Sequence, residues 1–244
     1  MPDIRIYPTF GNASSAAAAS IAEAIFHACE ARGMCTLVLS GGGTPKRLHT
    51  LLAANPAIDW PLVHLFFGDE RCVGPSDEYA NFRMVRETLC SVVRVPASNI
   101  HRIPGELGAQ QGAATYEREL SRFFGPIAGP PRFDCLVLGM GADGHTASLF
   151  PGAPGLKDTQ RWVTPVLGPT ASPPVDRISL TLPVINNARQ VFFLVTGKEK
   201  AAALRTVLEP DDAAAPPLPA ALVRPDPPAI WFVDNAAAHL LHQG

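Results

Sequence analysis

The sequence predicts an α/β fold, a single-domain, Rossmann-like open sheet of mostly parallel strands with helices on both faces. Short apolar runs alternate along the chain with segments whose apolar residues recur at helical spacing, which is typical of this class. The runs at residues 36–39 and 135–138 are apolar at almost every position, as expected for strands buried on both faces of a parallel sheet. A chain of 244 residues can bury one sizeable core, and we expect one domain over residues 1–244.

Each element of the first half follows from a local pattern. Residues 4–10 alternate like a strand, and residues 14–31 then place apolar side chains at helical spacing. The apolar run at 36–39 leads into three glycines and a helix predicted from Pro45, a residue that suits the first helical turn. The predicted elements here are strands at 4–10, 36–39 and 63–67 and helices at 14–31, 45–54 and 81–90.

The second half continues in the same style. Its predicted elements are strands at 135–138, 178–182, 191–196 and 230–233, a helix at 199–208 and a short helix at the end. Three proline-rich stretches interrupt the pattern, at residues 125–131, 168–174 and 210–219. We predict loops there rather than domain boundaries, because strands of the same kind lie on both sides of each stretch.

The charge balance excludes several classes of partner. With 20 Lys and Arg against 22 Asp and Glu, the net charge is -2, so no overall field favours a nucleic-acid backbone or an acidic membrane. An anionic ligand must therefore be bound by a local cluster of groups. The first ten residues lack the apolar core of a secretory signal, and no run approaches the roughly 18 apolar residues of a membrane span. We expect a cytoplasmic protein.

Cysteine and histidine usage argues against disulfides and metals. The five cysteines are an odd number with no Cys-x-x-Cys pair, so we expect reduced thiols. No spacing among the seven histidines is typical of a metal site, and we predict neither a metal nor another cofactor.

The first candidate loop follows the strand at 36–39 and contains Gly41, Gly42, Gly43 and Thr44. Successive glycines let backbone N–H groups approach an anion, and the start of the next helix adds the positive end of its dipole. A phosphate is therefore the expected ligand. The spacing to the following lysine is wrong for a nucleotide P-loop. A tight turn that needs glycine for its dihedral angles is the alternative.

The second candidate loop, residues 68–71, follows the apolar run at 63–67. Arg71 could clamp a phosphate or a developing oxyanion, and Asp69 could orient a base. The alternative is a solvated cluster of ion pairs, which such residues commonly form at the end of a strand.

The third candidate loop, residues 138–151, carries His145 just after a predicted strand. Imidazole takes and returns protons near neutral pH, so this position favours general acid–base catalysis. The glycines also match the G-x-G-x-x-G dinucleotide pattern, but Pro151 and Pro154 interrupt the long helix that this pattern requires. Ser148 lacks the G-x-S-x-G elbow of a nucleophile and is predicted to begin a helix instead.

Together, the three loops resemble the 6-phosphogluconolactonases of the glucosamine-6-phosphate isomerase/6-phosphogluconolactonase family, with motif order and spacing similar over nearly the whole chain. After His145 the chain reads Thr-Ala-Ser-Leu-Phe-Pro, whereas the related deaminases typically have an Ile-Ala-Phe-Asn-Glu type of run. The third loop therefore distinguishes the two groups. The segments that carry the resemblance are residues 39–45, 68–71, 81–83, 139–152, 177–183 and 219–223.

The resemblance implies hydrolysis of 6-phospho-D-glucono-1,5-lactone to 6-phospho-D-gluconate, a step of the oxidative pentose phosphate pathway. It implies His145 as the general acid/base that activates water, with Asp69 orienting the imidazole or the water. Arg71 and Arg177 would meet negative charge on the phosphate or on the oxyanion. The partner is a small phosphosugar lactone, and we expect a monomer. The other implied substrate-binding residues are Gly41, Gly42, Gly43, Thr44, Asn81 and Gly144.

Two positions depart from the family pattern. Many relatives have a hydroxyl residue where this chain has Gly43, so one side-chain hydrogen bond to a phosphate is missing here. Some relatives also carry a lysine in the loop before the strand of Arg177, but residues 168–174 contain none. The second cation near the substrate is then Arg177 alone, or Lys157 or Arg161.

Two other functions fit the same residues. A deaminase/isomerase acting on an amino-sugar phosphate would keep the fold and release ammonia from glucosamine 6-phosphate. A non-catalytic phosphosugar-binding module would bind its ligand without accelerating lactone hydrolysis, although such a module has no need of His145 and Asp69 at strand ends.

Overall fold

A computed structural model describes residues 2–168, 172–210 and 216–242. Its strands are β1 (Asp3–Tyr7), β2 (Cys35–Leu39), β3 (Val63–Phe67), β4 (Asp69–Arg71), β5 (Cys135–Leu138), β6 (Val163–Val166), β7 (Arg177–Leu180), β8 (Val191–Val195) and β9 (Ile230–Asp234). Its helices are α1 (Phe10–Arg32), α2 (Gly43–Ala53), α3 (Asn81–Val85), α4 (Ala109–Phe124), α5 (Leu182–Asn186), α6 (Ala201–Leu208) and α7 (Asn235–Ala238).

Six strands form one parallel sheet in the order β1-β9-β8-β5-β2-β3. The central strands β2, β5 and β8 are buried along their whole length, which explains their uninterrupted apolar sequences. Helices cover both faces of the sheet. Residues of α1 lie beside Phe192 on one face, and residues of α6 lie beside Trp231 on the other. The predicted α/β fold is confirmed.

The strand order places a switch point between β2 and β5. From β2 the chain continues outward to β3, whereas from β5 the parallel sheet grows in the opposite direction, through β8 and β9. No crossover connection between β2 and β5 therefore covers their carboxyl ends. A crevice opens there, between the loops that leave the two strands. The Ser40 hydroxyl donates to the Val137 carbonyl oxygen at 2.5 Å and ties the two strand ends together.

A second, antiparallel sheet of three strands in the order β4-β7-β6 lies beside the first and was not expected. Residues 69–71, predicted as a loop, form its strand β4. Gly68 joins the sheets, because its N–H donates to the Leu39 carbonyl oxygen at 3.0 Å and its own carbonyl accepts from the Leu180 N–H at 2.8 Å. The predicted strand at 178–182 lies in this second sheet as β7.

Other differences concern elements with weak sequence signals. Helix α4 was not predicted, since its first half is made of small and polar residues that include Gly112. The hydroxyl of Tyr116 anchors this helix, donating to the Phe67 carbonyl at 3.2 Å and accepting from the Phe67 N–H at 3.1 Å. Strand β6 and helix α5 were also missed. Helix α1 starts earlier than predicted, because Thr9 caps it by accepting from the Asn12 N–H.

The proline-rich stretches connect elements of these same two sheets. Residues 125–131 join α4 to β5, residues 168–174 join β6 to β7, and residues 210–219 precede β9. Residues 169–171 and 211–215 of these stretches lie outside the described residues. All five cysteines are free thiols. Within the described ranges, no helix combines the length and apolarity that crossing a bilayer requires.

Candidate active site

A cleft of about 200 Å³ opens at the carboxyl ends of β2, β5 and β8, at the switch point. Every site residue predicted from the sequence lines it except Gly144, so the structure brings the three candidate loops together. The lining residues are Ser40, Gly41, Gly42, Gly43, Thr44, Pro45, Asp69, Arg71, Asn81, Gly139, Met140, Gly141, His145, Ala147, Arg177, Leu194, Val195, Thr196 and Lys200.

The glycine loop presents the start of α2 to this cleft. Gly42, with a φ of 109°, precedes the helix and supplies no side-chain cap, so the first N–H groups of α2 have no side-chain partner there. The Thr44 hydroxyl lies 3.5 Å from that of Thr196, at the end of β8. Unpaired amides, the positive end of a helix dipole and two hydroxyls make this end of the cleft suited to an anion.

Gly41 allows the glycine loop to pack against Asn81, the first residue of α3. A Cβ at Gly41 would lie 1.7 Å from Oδ1 of Asn81, so only glycine fits there. The Asn81 amide nitrogen donates to the backbone carbonyl of Asp69 at 3.0 Å and to its carboxylate at 3.2 Å. Asn81 therefore holds Asp69 from the side of the glycine loop.

His145 is held by Asp143. Its Nδ1 lies 2.6 Å from Oδ1 of Asp143, and its backbone N–H donates to the same oxygen at 3.1 Å. Burial alone would raise the pKa of Asp143, but the charge and hydrogen bonds of His145 lower it below the ordinary value. A Cβ at Gly141 would lie 2.1 Å from Nδ1 of His145, so this glycine makes room for the ring. The Nε2 atom is left as the nitrogen available to a substrate.

Asp69 does not contact the imidazole, so of the two roles implied for it only the orientation of the water stays a prediction. One oxygen of the buried Asp69 carboxylate accepts from the Ser148 hydroxyl at 2.5 Å, and the other accepts from Asn81. Ser148 does not begin a helix either. It lies in a turn, fully buried, where its N–H donates to the hydroxyl of Ser179 at 3.2 Å. The Asp143 partner was missed because its only sequence signal was a position two residues before His145.

Two guanidinium groups flank the cleft on the second sheet, where Arg71 of β4 pairs in register with Arg177 of β7. Arg71 donates from Nη1 to the Tyr79 carbonyl at 2.7 Å, and Arg177 donates from Nη2 to the Ser172 carbonyl at 3.1 Å. The Nε atoms of both are buried without a hydrogen-bond partner. Burial lowers the pKa of Arg177, Asp69 opposes that change and Arg71 adds to it. The site thus concentrates positive charge beside one buried carboxylate.

Comparison with known proteins agrees with this geometry. The model of the family described as glucosamine-6-phosphate isomerases/6-phosphogluconolactonase matches residues 9–231. The chain belongs to this family. It is 42% identical to a 6-phosphogluconolactonase of Synechocystis over 86% of either chain. It is 41% identical to a rat 6-phosphogluconolactonase over 86% of this chain and 82% of that one.

A solved structure supports the same assignment. The 6-phosphogluconolactonase of Trypanosoma cruzi superposes with a TM-score of 0.89 at 28% identity, over 100% of this chain and 98% of that chain. The resemblance found in the motifs is thus confirmed at the level of the family and the fold, and the relatives named here are lactonases rather than deaminases.

Of the three candidates for the second cation, the structure places only Arg177 in the cleft. Arg177 lines the cleft, whereas Lys157 and Arg161 line a separate surface pocket, where Arg161 pairs with Asp158 at 2.6 Å. Lys200 also lines the cleft and was not predicted. In the sequence, Lys200 is marked only by its position shortly after β8. That position predicts a place in the cleft only once β8 is known to lie beside β5.

Gly144 does not line the cleft in this protein. Its φ of +78° and a Cβ position 2.6 Å from Leu218 both require glycine. Its carbonyl accepts from the Ala220 N–H at 3.0 Å, in the short turn Pro219–Leu222. Gly144 thus anchors the His145 loop to a later segment, and its role in substrate binding stays a prediction.

Proposed function

We propose that this protein hydrolyses 6-phospho-D-glucono-1,5-lactone to 6-phospho-D-gluconate, as the names of its relatives suggest. One observation carries the proposal. The same cleft is lined by a helix start whose N–H groups suit an anion and by a histidine whose Nδ1 is already paired with a carboxylate. A substrate with a phosphate at one end and an activated ester at the other requires both features.

The phosphate would bind at the start of α2, where Gly42, Gly43 and Thr44 offer N–H groups, with Lys200 as its counter-charge. Fixing the phosphate there would orient the lactone carbonyl toward His145. Such positioning is a large part of the catalysis, because it replaces an encounter in solution by a reaction within one complex.

His145 would act as the general base and then as the general acid. Its Nε2 takes a proton from water while the water oxygen bonds to C1 of the lactone. The bond between C1 and the ring oxygen then breaks, and the same proton passes to the ring oxygen, which becomes the hydroxyl at C5. Asp143 stabilises the imidazolium that forms between the two steps, since its carboxylate already contacts Nδ1.

Arg71 and Arg177 would stabilise the oxyanion of the tetrahedral intermediate or complete the binding of the phosphate. In this proposal Asp69 acts on these cations and on the water rather than on the imidazole. Its carboxylate, fixed by Asn81 and Ser148, supports the charge of Arg177. The chemistry needs no cofactor. We propose a monomer that acts on a small phosphosugar lactone in the cytoplasm, without nucleic-acid or membrane partners.

The deciding experiment is hydrolysis of freshly prepared 6-phosphogluconolactone, corrected for spontaneous ring opening and run with and without a chelator. We expect rapid, chelator-independent hydrolysis and no ammonia release from glucosamine 6-phosphate. Ammonia release would favour the deaminase. Tight binding of 6-phosphogluconate without hydrolysis would favour a binding module, and either result would reject the proposal.

A further inference from the structure

Phe150 is a buried aromatic residue outside the apolar core. It follows the third loop and is only 7% exposed, yet it does not belong to the continuous core cluster formed by the described residues. Nor does it line the cleft itself. A large apolar side chain that is buried without joining the core has some other group as its packing partner.

Two of the neighbours of Phe150 are side chains of the candidate site. The Phe150 ring centroid lies 4.6 Å from that of the His145 imidazole, with an angle of 41° between the planes. The same ring centroid lies 5.5 Å from Cζ of Arg177, within the range of a cation–π contact. One phenyl ring thus contacts both His145, the proposed base, and Arg177, one of the two arginines that line the cleft.

The Phe150 ring contacts parts of His145 and Arg177 that their hydrogen bonds do not hold. The hydrogen bond to Asp143 holds one edge of the His145 imidazole, at Nδ1, so packing must limit the movement of the ring faces. Backbone carbonyls hold Nη2 of Arg177, while its buried Nε has no partner. A phenyl face restricts both motions and attracts the guanidinium without accepting its remaining N–H groups in a strong hydrogen bond. It also offsets the repulsion between Arg177 and the neighbouring Arg71.

We propose that Phe150 is a positioning residue for the lactonase reaction, holding the His145 imidazole and the Arg177 guanidinium in their orientations toward the substrate. This inference rests on the proposed function. A ring that positions both groups affects two kinetic constants. Misplacing the His145 imidazole lowers kcat, and misplacing the Arg177 guanidinium raises KM if Arg177 binds the substrate in the ground state.

The test is Phe150→Leu, which keeps apolar bulk and removes the ring, assayed on 6-phosphogluconolactone beside the wild type. We expect kcat/KM to fall on the order of tenfold or more. The control is Phe133→Leu, which removes a fully buried ring that packs on Phe66 and Phe124 at the other end of β5. That control should lower the melting temperature and leave kcat and KM within about twofold of the wild type.

A double-mutant cycle separates positioning from simple packing. In an Arg177→Met background the cation is already absent, so Phe150→Leu should no longer raise KM, and the two effects should be clearly non-additive. Should Phe150→Leu not fold, Phe150→Met takes its place in the same cycle. A folded variant with wild-type kcat and KM, or strictly additive effects, would overturn the inference. An inactive wild type would instead reject the proposed function.

Discussion

The proposed chemistry depends on how a single residue, His145, is held. His145 reaches the cleft with its Nδ1 bound to Asp143 and with the side chain about a quarter exposed. A neutral imidazole with one nitrogen donating to a carboxylate has its other nitrogen free to accept a proton. In the proposed mechanism, this arrangement leaves Nε2 of His145 for the water and Asp143 for the imidazolium.

Replacing the imidazole tests this assignment. We expect His145→Ala to lower kcat by about 10²- to 10⁴-fold, the usual contribution of general acid–base catalysis, while the melting temperature stays near that of the wild type. His27→Ala, which removes an exposed histidine on α1, is the matched control and should be fully active. Asp143→Asn should lower kcat by a smaller factor. Near-normal turnover in purified His145→Ala would remove this residue from the mechanism.

The cations can be assigned by comparing two substrates. If Lys200 binds the phosphate, Lys200→Met raises KM for 6-phosphogluconolactone and leaves the slow hydrolysis of unphosphorylated gluconolactone unchanged. An arginine that meets the oxyanion behaves differently, because Arg71→Ala or Arg177→Ala then lowers kcat for both lactones. Steady-state kinetics with both substrates decides between the roles. Unchanged kinetics in Arg71→Ala would reject any role for that residue.

The loops after β2 and β5 and the short strand β4 supply most of the predicted site residues, and local sequence was enough to find them. The glycine loop and His145 each lie within a few residues of an apolar strand, so no long-range information was needed. Partners that depend on three-dimensional packing were missed. The Asp143–His145 contact requires the turn that Gly141 permits, and Lys200 reaches the cleft only because β8 pairs with β5.

The contact between the glycine loop and Asn81 of α3 makes a sharp prediction about glycines. Gly41→Ala would place a Cβ 1.7 Å from Asn81 Oδ1, so Asn81 and with it Asp69 must move. We expect a lower melting temperature and a loss of kcat/KM on the order of tenfold or more. Gly43→Ala is the matched control, since no atom lies within 4 Å of its Cβ position. Its helical location favours alanine.

Gly43→Ser extends the comparison. Because many relatives have a hydroxyl residue at this position, we expect the serine variant to keep its stability and to bind the phosphorylated lactone at least as well as the wild type. Equal behaviour of Gly41→Ala and Gly43→Ala would contradict the packing described for Asn81.

At the scale of the whole molecule, the active site lies where two sheets meet. Sequence patterns predicted the parallel sheet, because its buried strands are uniformly apolar. They did not reveal the second sheet, since a single glycine separates β3 from β4 and the polar residues of β4 resemble a loop. Glu70 of β4 fixes the junction, its carboxylate accepting from the N–H groups of Arg71, Asn81 and Phe82 at 2.8, 2.7 and 2.8 Å.

Glu70 makes the stability of the junction depend on pH. Burial raises its pKa from 4.5 to about 7, although the three N–H groups oppose this. The folded state therefore binds the proton more tightly than the unfolded chain. The stabilisation that Glu70 contributes is complete below pH 4.5 and is lost as the pH rises through about 7.

We expect the free energy of unfolding of the wild type to fall between about pH 5 and about pH 8 relative to Glu70→Gln, which does not titrate. Urea denaturation at several pH values measures this difference. A free energy of unfolding that rises with pH relative to Glu70→Gln, or that changes with pH equally in both proteins, would contradict this role of Glu70.

In the proposed function, one cleft binds the two ends of a single phosphosugar, with the phosphate at the start of α2 and the reacting carbon at His145. A crystal structure with 6-phosphogluconate bound tests it most directly. We predict the phosphate on the N–H groups of Gly42–Thr44 beside Lys200, and the C1 carboxylate within hydrogen-bond distance of His145 Nε2. A phosphate bound elsewhere, or a C1 carboxylate out of reach of that imidazole, would contradict the account.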